Sequence, residues 1–111
     1  AGLASGQVGW WENVGPRRNG CSACCVHPYA KTATAAMQLL WSYKDVRPDL
    51  ALWVTEWNRP SNEVVPFARM LRQQVDRSFW FCWSDGMVPS FGLTDQDERP
   101  KAEYVSLAGV L

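Results

Sequence analysis

Three observations lead to an α/β fold of three consecutive βα units with parallel strands. Three short runs rich in strand-forming residues, Cys21 to Val26, Leu50 to Thr55 and Ser78 to Trp83, are each followed by turn or loop residues. After each run, apolar residues recur at the spacing of one helical face. The runs return at intervals of roughly thirty residues, the size of a βαβ unit. Right-handed crossovers then make the strands parallel.

At 111 residues the chain is one domain or a piece of one, long enough to bury a core. Eleven basic side chains balance eleven acidic ones, which disfavours a polyanionic partner and nucleic acid above all. No apolar run approaches the roughly 18–20 residues of a membrane span. The start, Ala1 to Gly6, has neither a basic nor an apolar stretch and does not read as a signal peptide.

Residues 1–20 read as an irregular lead-in. Gly15-Pro16 and Asn19-Gly20 are turn signals, and Trp10-Trp11-Glu12-Asn13 is the one dense patch. The folded unit is expected over residues 21–111. Its first strand, Cys21 to Val26, stops at His27-Pro28-Tyr29, where proline ends ladder pairing. Thr32 is placed to cap the first helix, whose expected stripe is Ala33, Ala36, Met37, Leu40 and Trp41.

The second strand is bounded by Asp49 upstream and Arg59-Pro60 downstream, and a carboxylate, Glu56, follows it at once. Ser61 or Asn62 is expected to cap the next helix, with Pro66 tolerated in its first turn. Phe67, Met70, Leu71 and Val75 are its stripe, and the helix is expected to end near Arg77. The third strand, Ser78 to Trp83, exits through Ser84-Asp85-Gly86. A long loop then leads to Pro100, which starts a last helix with Tyr104, Leu107, Ala108 and Leu111 on one face. Trp41, Trp53 and Trp80 are expected in the core.

Parallel strands end on one rim, where ligand sites of such folds lie. His27 and Tyr29, Glu56 and Trp57, Trp83 and Asp85 all fall there. Four cysteines, at 21, 24, 25 and 82, raise the question of zinc. A closed zinc site needs four ligands at suitable spacing. Only Cys82 and His27 remain beyond the Cys-x-x-Cys-Cys cluster, both within or beside expected strands, so no metal is expected. The cysteines read as buried or partly exposed thiols, without a deducible disulfide.

Together, Val26-His27-Pro28-Tyr29, Trp53-Val54-Thr55-Glu56-Trp57, Phe81-Cys82-Trp83-Ser84-Asp85-Gly86, Phe91-Gly92-Leu93 and Pro100-Lys101 resemble the last three βα units of a (β/α)8-barrel glycoside hydrolase. The resemblance is to the clan of cellulase-like and xylosidase-like retaining β-glycosidases and covers roughly residues 21–111. It implies Glu56 as the catalytic nucleophile, with His27 and Tyr29 positioning the sugar and hydrogen-bonding that carboxylate. It implies Trp83 as a platform under the sugar, following a cis peptide for which Cys82–Trp83 is the candidate. Trp57, Asn58 and Asp85 would be looser substrate contacts, and the ligand a β-linked glycoside or polysaccharide. No cofactor is implied, because the reaction needs only carboxylates and water.

The chemistry agrees with that assignment. A retaining glycosidase uses two carboxyl groups about 5–5.5 Å apart, one attacking the anomeric carbon and one protonating the leaving oxygen. The clan's acid/base lies at the end of the fourth barrel strand, usually after an Asn, and strands one to five are absent here. A whole barrel takes at least roughly 200 residues. Asn62-Glu63 is the one Asn-Glu pair, at a helix start where an acid complements the dipole. Glu12 has no clear strand before it.

Three strands leave two open sheet edges. Another chain completes them, copies associate, or the segment folds as something smaller. Three readings stand at this point: a glycoside hydrolase segment, a non-catalytic carbohydrate-binding remnant, and a small or self-associating α/β domain without a sugar ligand. His27 also reads as a structural histidine.

Overall fold

A computed structural model describes residues 22–110. Its elements are β1 (Ala23–Val26), α1 (Ala33–Val46), β2 (Ala51–Trp57), α2 (Ser61–Gln74), β3 (Arg77–Trp80) and α3 (Ala102–Ala108). The sheet order is β1-β2-β3, and both pairings are parallel. The expected alternation of three strands and three helices is therefore the observed one. The irregular lead-in expected for residues 1–20 lies outside the described residues, as do Cys21 and Leu111.

Helix α1 is capped as its sequence predicts: the Thr32 hydroxyl accepts from Ala35 N at 3.1 Å. Its buried stripe is Ala36, Met37, Leu40 and Tyr43. Trp41 is instead 47% exposed. It lies about 100° round the helix from Leu40, beyond the stripe's edge, and Tyr43 takes the inward place. Helix α2 follows Pro60, without a side-chain cap, and buries Val64, Phe67, Ala68 and Leu71. Pro66 sits past the first turn, and the helix holds through it.

These stripes pack on Cys24, Val26, Leu52, Val54 and Trp57, which form one face of the sheet. Burying apolar surface at roughly 25 cal/mol per Å² makes this helix–sheet layer the main source of stability. Trp53 is on the other face, half-buried, with the Arg77 guanidinium 5.2 Å from its ring.

The third strand is shorter and earlier than expected. Val75 N still donates to Leu71 O, but Asp76 already joins β2: its N–H donates to Leu52 O and its carboxylate accepts from Leu52 N, both at 2.9 Å. Phe81 N donates to Trp57 O at 2.8 Å, and Cys82 N then turns to Phe91 O at 3.0 Å. The cis peptide falls at this change of partner, Phe81–Cys82, one bond before the expected Cys82–Trp83. Among the described residues β3 is an edge, with Arg77, Ser78 and Phe79 exposed. Helix α3 buries no residue fully, although Leu107 and Val110 pack on the core.

Candidate active site

The direction in which Glu56 points is set by an irregularity in β2. Strict alternation from Leu52 and Val54 would turn Glu56 into the helix–sheet core. Pairing with β3 runs Val54↔Ser78 and then Trp57↔Trp80, so β2 spends three steps where β3 spends two. The extra residue is a β-bulge, a device that re-aims side chains beside sites. Its effect is to hand the core position to Trp57 and to leave Thr55 and Glu56 together near β1's exit.

There the polar groups meet. Tyr29 Oη donates to Glu56 Oε2 at 3.2 Å. His27 Nε2 lies 3.0 Å from Thr55 Oγ1, and His27 Nδ1 lies 3.7 Å from Glu56 Oε2. The longer distance is outside hydrogen-bond range. Electrostatics favours the Nδ1–H tautomer, with Thr55 donating to Nε2, because a bare nitrogen lone pair beside a carboxylate is repulsive. Burial first, then the neighbouring Glu56 charge, pushes the Tyr29 phenol above its ordinary pKa. It therefore remains a donor at neutral pH. The Glu56 side chain is about one-third exposed, open to a reactant.

The loop after β3 brings Phe91 against Tyr29 and leaves Trp83 exposed on its own turn. Trp83 is 54% exposed and stands edge-to-face with Tyr104, ring centroids 6.2 Å apart. Phe91 packs on Tyr29 with ring centroids at 6.2 Å. Asn58 Nδ2 donates to Phe81 O at 3.1 Å and ties the ends of β2 and β3 together.

Two residues behave differently from their sequence-based assignments. Trp57 is 3% exposed, packed on Phe67 and Trp80, because the bulge turns it into the core. It is not a rim contact. Asp85 is engaged within its own loop, accepting from Lys101 Nζ at 3.0 and 3.1 Å and from Gly92 N at 2.8 Å. The Lys101 ammonium holds its carboxyl below the usual range. Glu63 stands in the first turn of α2, as its sequence position suggests, and accepts from Arg59 at 2.6 and 2.8 Å. Glu12 lies outside the described residues.

Sequence reasoning missed Thr55, Phe91 and Arg59. The i,i+4 spacing of Arg59 and Glu63 is a legible signal for that pair. The contacts of Thr55 and Phe91 are long-range and carry none. No group of three or more His, Cys, Asp or Glu side chains among the described residues is arranged to hold a metal. Cys24 is a buried thiol, raised to about 11 chiefly by that burial. A groove of about 550 Å³ opens between α2, β3 and α3, lined by Leu71, Trp80 and Leu107 among others. Of the site residues only Trp57 borders it, so the polar chemistry lies elsewhere, at the strand ends.

The chain is similar to the solved structure of a thermostable mutant of a xylanase from Cellvibrio japonicus, with a TM-score of 0.68. The architecture is that of part of a TIM barrel. The match covers 93% of this chain at 10% sequence identity, and it spans 43% of the xylanase chain. No protein-family model matches the sequence, and no curated protein matches it. No helix among the described residues is long and apolar enough to cross a membrane.

Proposed function

We propose that this chain carries the nucleophile half of a retaining β-glycosidase site, with Glu56 as the nucleophile. The observation that supports it best is the Tyr29 hydroxyl on Glu56 Oε2, made across two strand ends of a partial barrel. In this reading Glu56 attacks the anomeric carbon as the glycosidic C–O bond breaks. The leaving oxygen takes its proton from an acid, and water then releases the sugar with that acid's conjugate base removing a proton. His27 and Tyr29 orient the carboxylate and the sugar. Asn58 borders the site, and Trp83 offers an apolar, electron-rich face to the positive charge developing on the ring.

In this reading Glu63 and Asp85 are committed to Arg59 and Lys101, and the proton donor is assigned to a βα unit outside residues 22–110. It comes from other βα units, on the same polypeptide, another chain or a second copy. The ligand is a β-linked carbohydrate, as the xylanase-like architecture suggests. Incubation with a mechanism-based 2-fluoro glycoside tests this. The expected result is a covalent adduct mapped to Glu56. Sugar-dependent tryptophan fluorescence without any adduct would replace catalysis by carbohydrate binding alone, and no response of either kind would remove the carbohydrate reading.

A further inference from the structure

Among the described residues Arg59 is the one buried charged side chain, 9% exposed. Its guanidinium is spent on two places at once. Nη1 donates to Ala30 O at 2.7 Å, and Nη2 reaches Lys31 O at 3.4 Å, both in the segment after β1. Nε and Nη2 donate to Glu63 Oε2 at 2.8 and 2.6 Å, on the first turn of α2. Its plane also lies 5.8 Å from the centre of the Phe67 ring, in the core. The fork is thus anchored on the helix side and holds two consecutive carbonyls of a loop with its free donors. Arginine suits this use because its donors are rigidly disposed and its charge is permanent.

The loop so held carries the site. Ala30 directly follows Tyr29, and Tyr29 N donates to His27 O at 2.9 Å, closing a tight turn between the two site residues. Arg59 is itself only three residues past Glu56, on the strand's own exit. We propose that Arg59 is a positioning residue that fixes the His27–Tyr29 turn against Glu56 by clamping the Ala30 and Lys31 carbonyls to α2. Its importance for catalysis rests on the reading of Glu56 as nucleophile. Its effect on the Tyr29–Glu56 contact does not. Without the fork, the Ala30 carbonyl loses its charged partner and the turn that carries Tyr29 loses its tie to α2.

The whole 111-residue chain carries three tyrosines, so tyrosine isotope-labelled at Cζ gives three resonances to follow. Glu56→Gln identifies the shift that loss of the carboxylate partner causes at Tyr29. Arg59→Met is expected to move the Tyr29 resonance in the same direction by most of that amount, with Tyr43 and Tyr104 unmoved. Arg59→Lys should restore part of the wild-type position. Arg59→Met added to Glu56→Gln should move Tyr29 no further. A folded Arg59→Met chain with Tyr29 at its wild-type position overturns the proposal. Should that variant fail to fold, Glu63→Gln frees the fork's anchor and is expected to give a smaller shift of the same sign, and no shift there overturns it too. Because the resonance is read without sugar, a chain that takes no fluoro-glycoside label leaves this result intact, and the two ideas fail separately.

Discussion

The rim at the ends of β1 and β2 and the rim beyond β3 use similar residues in opposite ways. At the first, polar side chains reach between elements: Tyr29 to Glu56, His27 to Thr55, Arg59 to Ala30 and Glu63. At the second they close the loop on itself. Asp85 holds Lys101 and Gly92, and Ser84 Oγ donates to Asp95 O. Thr94, almost wholly buried, donates through its N–H and its hydroxyl to Trp83 O. The first arrangement aims a carboxylate that keeps one face open. The second leaves an aromatic ring, Trp83, standing on a loop that is rigid from within. In the proposed reading the carboxylate with a strand-to-strand donor does the chemistry, whereas the one absorbed by its own loop is scaffold.

The largest expected effect separates the two rims directly. In an assembly that supplies the acid/base, Glu56→Gln should lower hydrolysis and adduct formation by at least roughly three orders of magnitude, with little change in melting temperature. A variant that still labels at the wild-type rate, on another residue, would remove Glu56 from the nucleophile's role.

Gly92→Ala should do the reverse. A Cβ there would meet Asp85 N, Ser84 C and Thr94 O, all backbone atoms that cannot turn aside. Destabilisation of about 1–3 kcal/mol is expected, on the scale of overpacking, and thermal denaturation would measure it. The Tyr29–Glu56 hydrogen bond should survive, since its two partners sit at the exits of β1 and β2 and the turn reaches Tyr29 only through the Phe91 ring. An unchanged melting temperature would show that the loop is looser than its hydrogen bonds imply.

Tyr29→Phe comes next. Hydrogen bonds to charged groups contribute about 1.5–3 kcal/mol. At 3.2 Å this one is long for an O–H donor, which places it at the low end of that range. Roughly tenfold slower labelling is expected, measured as the rate constant for adduct formation. A rate equal to wild type would make Tyr29 a bystander.

The smallest effect is at Asp85, and it depends on pH. Lys101 depresses the folded carboxyl's pKa, so the stability that this adds is present above the unfolded value of about 3.9. It is lost as pH falls through the lower folded value. Urea midpoints for wild type and Asp85→Asn should therefore differ by a constant amount near neutrality and converge in acid. A gap that persists unchanged into strong acid would mean that the Lys101 pair adds nothing.

Much of the architecture was legible from local pattern. The Thr32 cap, the Met37 and Leu40 stripe and the Phe67 and Leu71 stripe follow from spacing alone, because a helix's buried face is a property of one segment. Trp41 misled because its size suggested core while its angle placed it outward. Strand lengths were less legible: Cys82 and Trp83 look like strand residues, but a strand ends where its partner does, and β2 offers no acceptor beyond Trp57 O. The site divides in the same way. That a carboxylate closes the central strand could be seen from Glu56 itself, and Arg59 and Glu63 announced their pairing by their spacing.

Element order, the parallel sheet and the gathering of His27, Tyr29 and Glu56 on one rim were all written into the chain, since periodicity and chain crossover determine them. Which of Glu56 and Trp57 would face the site was not. That choice depends on the step lost between Val54 and Trp57 as β2 pairs with β3. A bulge belongs to two strands at once, and period-two alternation in either one is silent about it. The same holds for Asp85, whose carboxylate is taken by Lys101, a cation sixteen residues away that only folding brings within reach.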